Sequence, residues 1–150
     1  MTDHSEKARA YFLEGYNCAQ SVFLAFHEEL GLEQAAAARM ASSFGGGMGR
    51  LREVCGAVSG MFLVLGMRCG YSDPADDAGK KLQYERVQLL ARRFQEQHGS
   101  ILCRDLLGLD HASDDPTPSA RTTDYYKERP CADCITDAAG ILAELLETWT

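Results

Sequence analysis

The chain has no apolar run long enough to cross a bilayer. Its most apolar stretch, Val54 to Met67, is 14 residues long and holds three glycines. A membrane helix needs about 20 such residues, so the stretch reads as a buried helix. The first residues, Met1-Thr2-Asp3-His4-Ser5-Glu6-Lys7, are polar and charged where a secretory leader would be apolar. A cytoplasmic location without membrane insertion is the expectation.

Positive charge is also scarce. There are 15 Lys and Arg against 22 Asp and Glu, for a net charge of −7. No basic stripe is visible, so nucleic acid is not an expected partner. The acidity reads as a solubility feature. No stretch alternates well enough to form a strand, no segment repeats, and no linker divides the chain. These absences leave an all-α fold: one domain over 1–150, a compact bundle of six or seven helices with no sheet.

Familiar site motifs are missing too. His4, His27, His98 and His111 form no i, i+4 pair around a glutamate, so each is read as a surface residue. His98, beside Gly99, is accounted for as a dipole partner at a helix end. The turn Gly45–Gly49 lacks the lysine-Ser/Thr ending of a phosphate loop. A second CxxC, which would indicate a zinc ribbon, is absent.

What is present is cysteine. Six cysteines in a chain expected to be cytosolic point to metal binding or redox chemistry before a disulfide framework. The helix pattern shows where they fall. Ser5 is read as the cap of a first helix that ends near Gly15. Asn17 caps a second, with Val22, Phe23, Phe26 and Leu30 at helical spacing before Gly31. Leu32 to Phe44 is a strong helix former, stopped by Gly45-Gly46-Gly47.

The next helix, with Val54, Val58, Met61, Phe62, Leu65 and Met67, is apolar nearly all round and should be central. Gly56 and Gly60 share one of its faces, where small residues admit either a neighbouring helix or a ligand. Asp76 to His98 reads as a long charged helix. Ser100 caps a short one ending at Gly108, and Pro130 opens the last. Leu109 to Arg129 is polar, a loop long enough to be a lid or an interface. Its Tyr125-Tyr126 pair reads as exposed and suited to cover a neighbour, which makes a homodimer an expectation.

On this pattern Cys18, Cys55, Cys103 and Cys131 each lie in the first turn of a different helix. A helix start carries partial positive charge and free N–H groups, which favour thiolate over thiol. Arg50 and Arg52 would either add positive charge near Cys55 or form surface salt bridges. Cys69 lies at a helix end, where the dipole opposes thiolate, and is read as incidental. Cys134 follows Cys131 at CxxC spacing.

Together these residues carry a resemblance. Cys18, the run Gly47-x-Gly49-Arg50-x-x-x-x-Cys55-Gly56-Ala57-Val58-Ser59-Gly60, the unit Gly99-Ser100-x-x-Cys103-x-x-Leu106-Leu107-Gly108, and Cys131 resemble the family of redox-active proteins named for its C-GCAxxG-C-C pattern. The resemblance runs from Gly15 to the final helix. Cys55 precedes Gly56 here, where the family name writes glycine first. The fourth family cysteine maps onto Cys131, and Cys134 is an addition. The resemblance implies a small redox or electron-transfer protein and supplies no substrate.

Three readings follow. The first is an iron–sulfur cluster or other thiolate-bound metal held by Cys18, Cys55, Cys103 and Cys131, with Gly56 and Gly60 leaving room beside it. The second is dithiol–disulfide chemistry through Cys131–Cys134 or a partnership of Cys55. The third is a helical interaction protein whose cysteines merely pack. For either of the first two, the partner would be a redox protein or a small-molecule oxidant or reductant.

Overall fold

The computed structural model describes residues 2–149. These residues form eight helices and no strand or sheet: α1 (Asp3–Leu13), α2 (Cys18–Ala25), α3 (Gln34–Ala41), α4 (Gly56–Cys69), α5 (Asp77–His98), α6 (Cys103–Leu106), α7 (Thr123–Glu128) and α8 (Cys131–Trp149). A 3₁₀ turn over Ser42–Phe44 and a glycine turn over Gly45–Met48 join α3 to the approach of α4. No helix is long and apolar enough to cross a membrane among the described residues.

The glycine pattern and caps largely determine where helices begin and stop. Asn17 caps α2 in a full capping box with Gln20: each side chain bonds the other residue's backbone N–H, which satisfies two donors that a helix start otherwise leaves free. Asp76 caps α5, and Gly99 ends it in a left-handed conformation at φ 86. The first helix departs from expectation. Thr2 is its cap, and Ser5 is buried one turn inside, donating to the Thr136 carbonyl of α8 at 2.9 Å.

As its composition predicts, α4 is central. It packs on α2, α5 and α8, while α1 packs on α2 and α8. Val58, Met61, Val64 and Leu65 of α4 join Phe12, Phe23, Phe26, Phe94, Ile135 and Leu142 in one apolar core. Each such side chain contributes about 1.5–3 kcal/mol by leaving water.

The face that Gly56 and Gly60 share is taken up by α2. A Cβ on Gly60 would lie 2.9 Å from Val22 Cβ and 3.0 Å from the Ala19 carbonyl. One on Gly56 would lie 3.0 Å from both Ala19 N and Cys18 Cβ. Gly60 thus serves close helix packing, and Gly56 both packs against α2 and lines the cavity beside the cysteines. This packing brings the start of α2 against the start of α4.

The polar segment 109–129 is not a free loop. It contains α7 and folds back over the starts of α2, α6 and α8. Arg121 holds it there, donating to the carbonyls of Phe12 at 3.1 Å and Tyr16 at 3.0 Å. Tyr125 and Tyr126, expected to be exposed, are half-buried, with their rings against Phe12 of the same chain.

Candidate functional site

Four helix starts meet under that segment. Cys18 is the first residue of α2, Cys103 of α6 and Cys131 of α8, and Cys55 is the residue that caps α4. Cys134 lies one turn into α8, on the same side. These five cysteines line one small internal cavity of about 20 Å³. Cys69, at the far end of α4, is not among them. All six are free thiols.

The segment before Cys55 is held by an unusual backbone. Gly46 and Gly47 have φ of 69 and 70, and Met48, Arg50 and Arg52 also lie in the left-handed region at 66, 68 and 59. Side-chain-bearing residues pay for that conformation, and they keep it only where surroundings impose it. Here the surroundings are a backbone clasp. Cys55 N donates to the Ile101 carbonyl at 2.7 Å and Cys103 N to the Glu53 carbonyl at 2.6 Å. Val54 and Leu102 form an isolated antiparallel bridge between them. Gly47 sits where a Cβ would meet Cys103 Cβ at 2.6 Å and Glu53 N at 2.8 Å. Only glycine fits both the φ and the space.

Arg52 departs from both readings of it. Its side chain is only 2% exposed, so it is no surface residue, and the cysteine it serves is Cys103 in place of Cys55. Its Nη1 lies 3.5 Å from Cys103 Sγ, and its Nε donates to Asp114 at 2.8 Å. Even so, burial pushes the Cys103 thiol up, and the guanidinium offsets only part of that. Arg50 points to the folded-back segment, donating to the Asp115 carbonyl at 2.6 Å and Ser119 Oγ at 3.2 Å.

The remaining four thiols interact in two pairs across helices, Cys18 with Cys131 and Cys55 with Cys134. Each CxxC residue thus has its strongest thiol partner on another helix. Within each pair the two thiols diverge. Cys131 is lowered to about 7, by its interaction with the Cys18 thiol and then by Arg129, Arg121 and Arg52, against the cost of burial. Cys18 is raised well above its ordinary range by the same contact and by burial. Cys55 is lowered by the Cys134 thiol, with help from the Ala57 and Val58 backbone N–H groups. Cys134 is raised by Cys55 and by burial. Each pair thus holds one thiolate-prone sulfur beside one that keeps its proton.

A further residue joins the site that spacing alone did not reveal. His98 at the end of α5 is largely buried. Its Nδ1 lies 3.8 Å from Cys134 Sγ, and its Nε2 is 2.9 Å from Asp137. Its ring also stacks on Phe94 at 4.6 Å between centroids. The only hint in the sequence was its place at a helix end. The other three histidines lie elsewhere: His4 stacks on Phe26 and pairs with Glu29, His27 bonds the Leu32 carbonyl, and His111 bridges Asp110 and Asp114.

Among the described residues, no group of three or more His, Cys, Asp or Glu side chains is arranged to hold an ion. The inner cavity has room for about one water-sized group, less than iron with inorganic sulfide would fill. As they stand, the thiols engage one another.

No curated protein and no solved structure matches the chain. A family model does, over residues 16–145, from the residue before the Asn17 cap to the last turns of α8. With all four helix-start cysteines and most of the sequence inside that match, the chain belongs to the family described as "Putative redox-active protein (C_GCAxxG_C_C)".

Proposed function

We propose that this protein is a thiol-based redox protein whose Cys18–Cys131 and Cys55–Cys134 pairs cycle between dithiol and disulfide. One observation carries the reading: five cysteines from four helix starts line one small cavity, and within each pair one sulfur is lowered while its partner is raised. That division suits an attacking and a resolving cysteine. The Cys131 thiolate attacks a substrate disulfide, forms a mixed disulfide and expels one thiolate. Cys18 then attacks Cys131 Sγ, closing the Cys18–Cys131 disulfide and expelling the second thiolate, which takes up the Cys18 proton. Two electrons pass from the protein pair to the substrate, and the reverse steps restore the dithiol.

A second reading keeps Cys18, Cys55, Cys103 and Cys131 as ligands of an iron–sulfur cluster or another thiolate-bound metal. The meeting of four helix starts favours it, since their positive ends would offset thiolate charge. It requires both thiol pairs to open.

The two separate by experiment. Protein purified without oxygen is analysed for metal and sulfide, then oxidised with diamide and mapped by mass spectrometry. The proposal expects no bound metal and two disulfides, Cys18–Cys131 and Cys55–Cys134, with Cys69 free. Cys131→Ser should remove the first linkage, Cys55→Ser the second and Cys69→Ser neither. Stoichiometric metal that masks the thiols would overturn it, as would random pairing.

A further inference from the structure

Beside the inner cavity lies a larger one, of about 360 Å³, open to solvent between the glycine turn and segment 109–129. Its volume falls in the range of small-molecule sites. Cys18, Cys103 and Cys131 form part of its wall, and so do Arg50, Arg52, Arg121 and Arg129. No carboxylate side chain lines it among the described residues. Four arginines around one hollow stand out in a chain of net charge −7.

Their own contacts leave that charge largely uncompensated. Arg52 is neutralised by Asp114. The other three have no carboxylate within ion-pair distance among the described residues. Arg50 bonds a carbonyl and Ser119 Oγ. Arg129 bonds Ser119 Oγ at 3.3 Å and lies over the Tyr125 ring at 4.7 Å. Arg121 bonds carbonyls and lies over Phe12 at 4.5 Å. Neutral partners fix where these guanidinium groups sit and leave their positive charge for something else. Guanidinium matches a carboxylate in shape as well as charge.

We infer that this cavity selects the substrate of the redox site, and that the substrate is a small disulfide bearing carboxylates. The inference rests on the dithiol reading. The carboxylates engage Arg50 and Arg129 at the cavity mouth while the S–S bond meets Cys131 on its wall. Cys131 forms the mixed disulfide and Cys18 resolves it, releasing two anionic thiols.

Three disulfides of nearly equal length differ in charge and provide the test: dithiodipropionate (dianion), hydroxyethyl disulfide (neutral) and cystamine (dication). The reduced full-length protein is mixed with each, quenched by alkylation and assayed for the Cys18–Cys131 linkage. The dianion should react about tenfold faster than the neutral compound, and the dication slowest, with the spread shrinking as salt rises. Arg129→Gln or Arg50→Gln should cut the dianion-to-neutral rate ratio at least about threefold. Because these variants also remove positive charge near Cys131, the ratio and not the absolute rate is the readout. Equal rates for the dianion and the neutral compound, or an unchanged ratio in both variants, would overturn the inference and leave the dithiol reading standing. If no disulfide of any charge oxidises the pair, the dithiol reading itself fails.

Discussion

Arg52 reaches Cys103 Sγ at 3.5 Å from a backbone conformation, φ 59, that an arginine seldom adopts. The side chain is buried, and its second partner is Asp114 on the folded-back segment. One guanidinium therefore ties the site cysteine to its cover. Arg52→Met keeps much of the bulk and removes the charge. Urea denaturation should show a loss of about 1–3 kcal/mol, the cost of leaving hydrogen-bonding partners unmatched. It should also push the Cys103 thiol further up, slowing its labelling by a maleimide.

The lowered Cys131 thiol gives a pH signature. A group lowered from 9.0 to about 7 is already thiolate at pH values where an ordinary cysteine keeps its proton. Iodoacetamide should thus modify one thiol with a rate that rises through about pH 7 and is level by pH 8.5 or so. Cys131→Ser should abolish this phase. Cys18→Ala should move it to higher pH, because the hydrogen bond from Cys18 is the largest cause of the lowering. A single profile centred on the ordinary range would contradict the assignment.

On the dithiol reading, His98 sits where Cys134 would lose its proton. The Cys134 thiol is raised by Cys55 and by burial, so its attack on Cys55 would need a base to accept that proton. His98 Nδ1 faces it at 3.8 Å, with Asp137 orienting the ring from the other side. His98→Gln should slow closure of the Cys55–Cys134 disulfide about tenfold or more and flatten its pH dependence. Closure of Cys18–Cys131 should keep its rate. Equal slowing of both pairs would mark His98 as merely structural.

Two glycines in α4 should respond with opposite sign to the same change. Gly60→Ala would push a methyl to within 2.9 Å of Val22 and 3.0 Å of the Ala19 carbonyl, and overpacking of this kind costs about 1–3 kcal/mol. Gly66 is exposed and helical, with nothing within 4 Å of its would-be Cβ. Gly66→Ala should stabilise by up to about 1 kcal/mol through better helix propensity. Thermal unfolding of the two variants checks both.

Much of the helical frame was legible in the sequence because helices are local. Asn17 with Gln20, Asp76, Pro130 and Gly99 fix ends through residues a few positions away. The apolar period of α8 shows which face goes inward, and the all-round apolarity of α4 places it at the centre. For the same reason the cysteines at helix starts could be read from spacing. What could not be read depends on distant partners. His98 and Cys134 are 36 positions apart, and no local pattern connects them. The burial of Arg52 depends on Asp114 and Cys103, and the left-handed run through Met48, Arg50 and Arg52 is imposed by the clasp to 101–104. Gly56 and Gly60 could have faced a ligand or a helix, and only the placement of α2 decides. Segment 109–129 looked like a loop because its order comes from contacts with α1 and the glycine turn, while its own composition is polar.

The cysteines that make up the thiol site enter the chain at 18, 55, 103, 131 and 134, the last two at the start of the final helix. No stretch of the polypeptide carries the chemistry by itself. During synthesis each cysteine is an ordinary thiol, about 3% ionised at neutral pH. Only when α8 docks does Cys131 meet Cys18 and the arginines that lower it. Completion of the fold thereby concentrates thiolate character on Cys131 and Cys55 and withdraws it from Cys18, Cys103 and Cys134, where an unfolded copy carries six equivalent thiols.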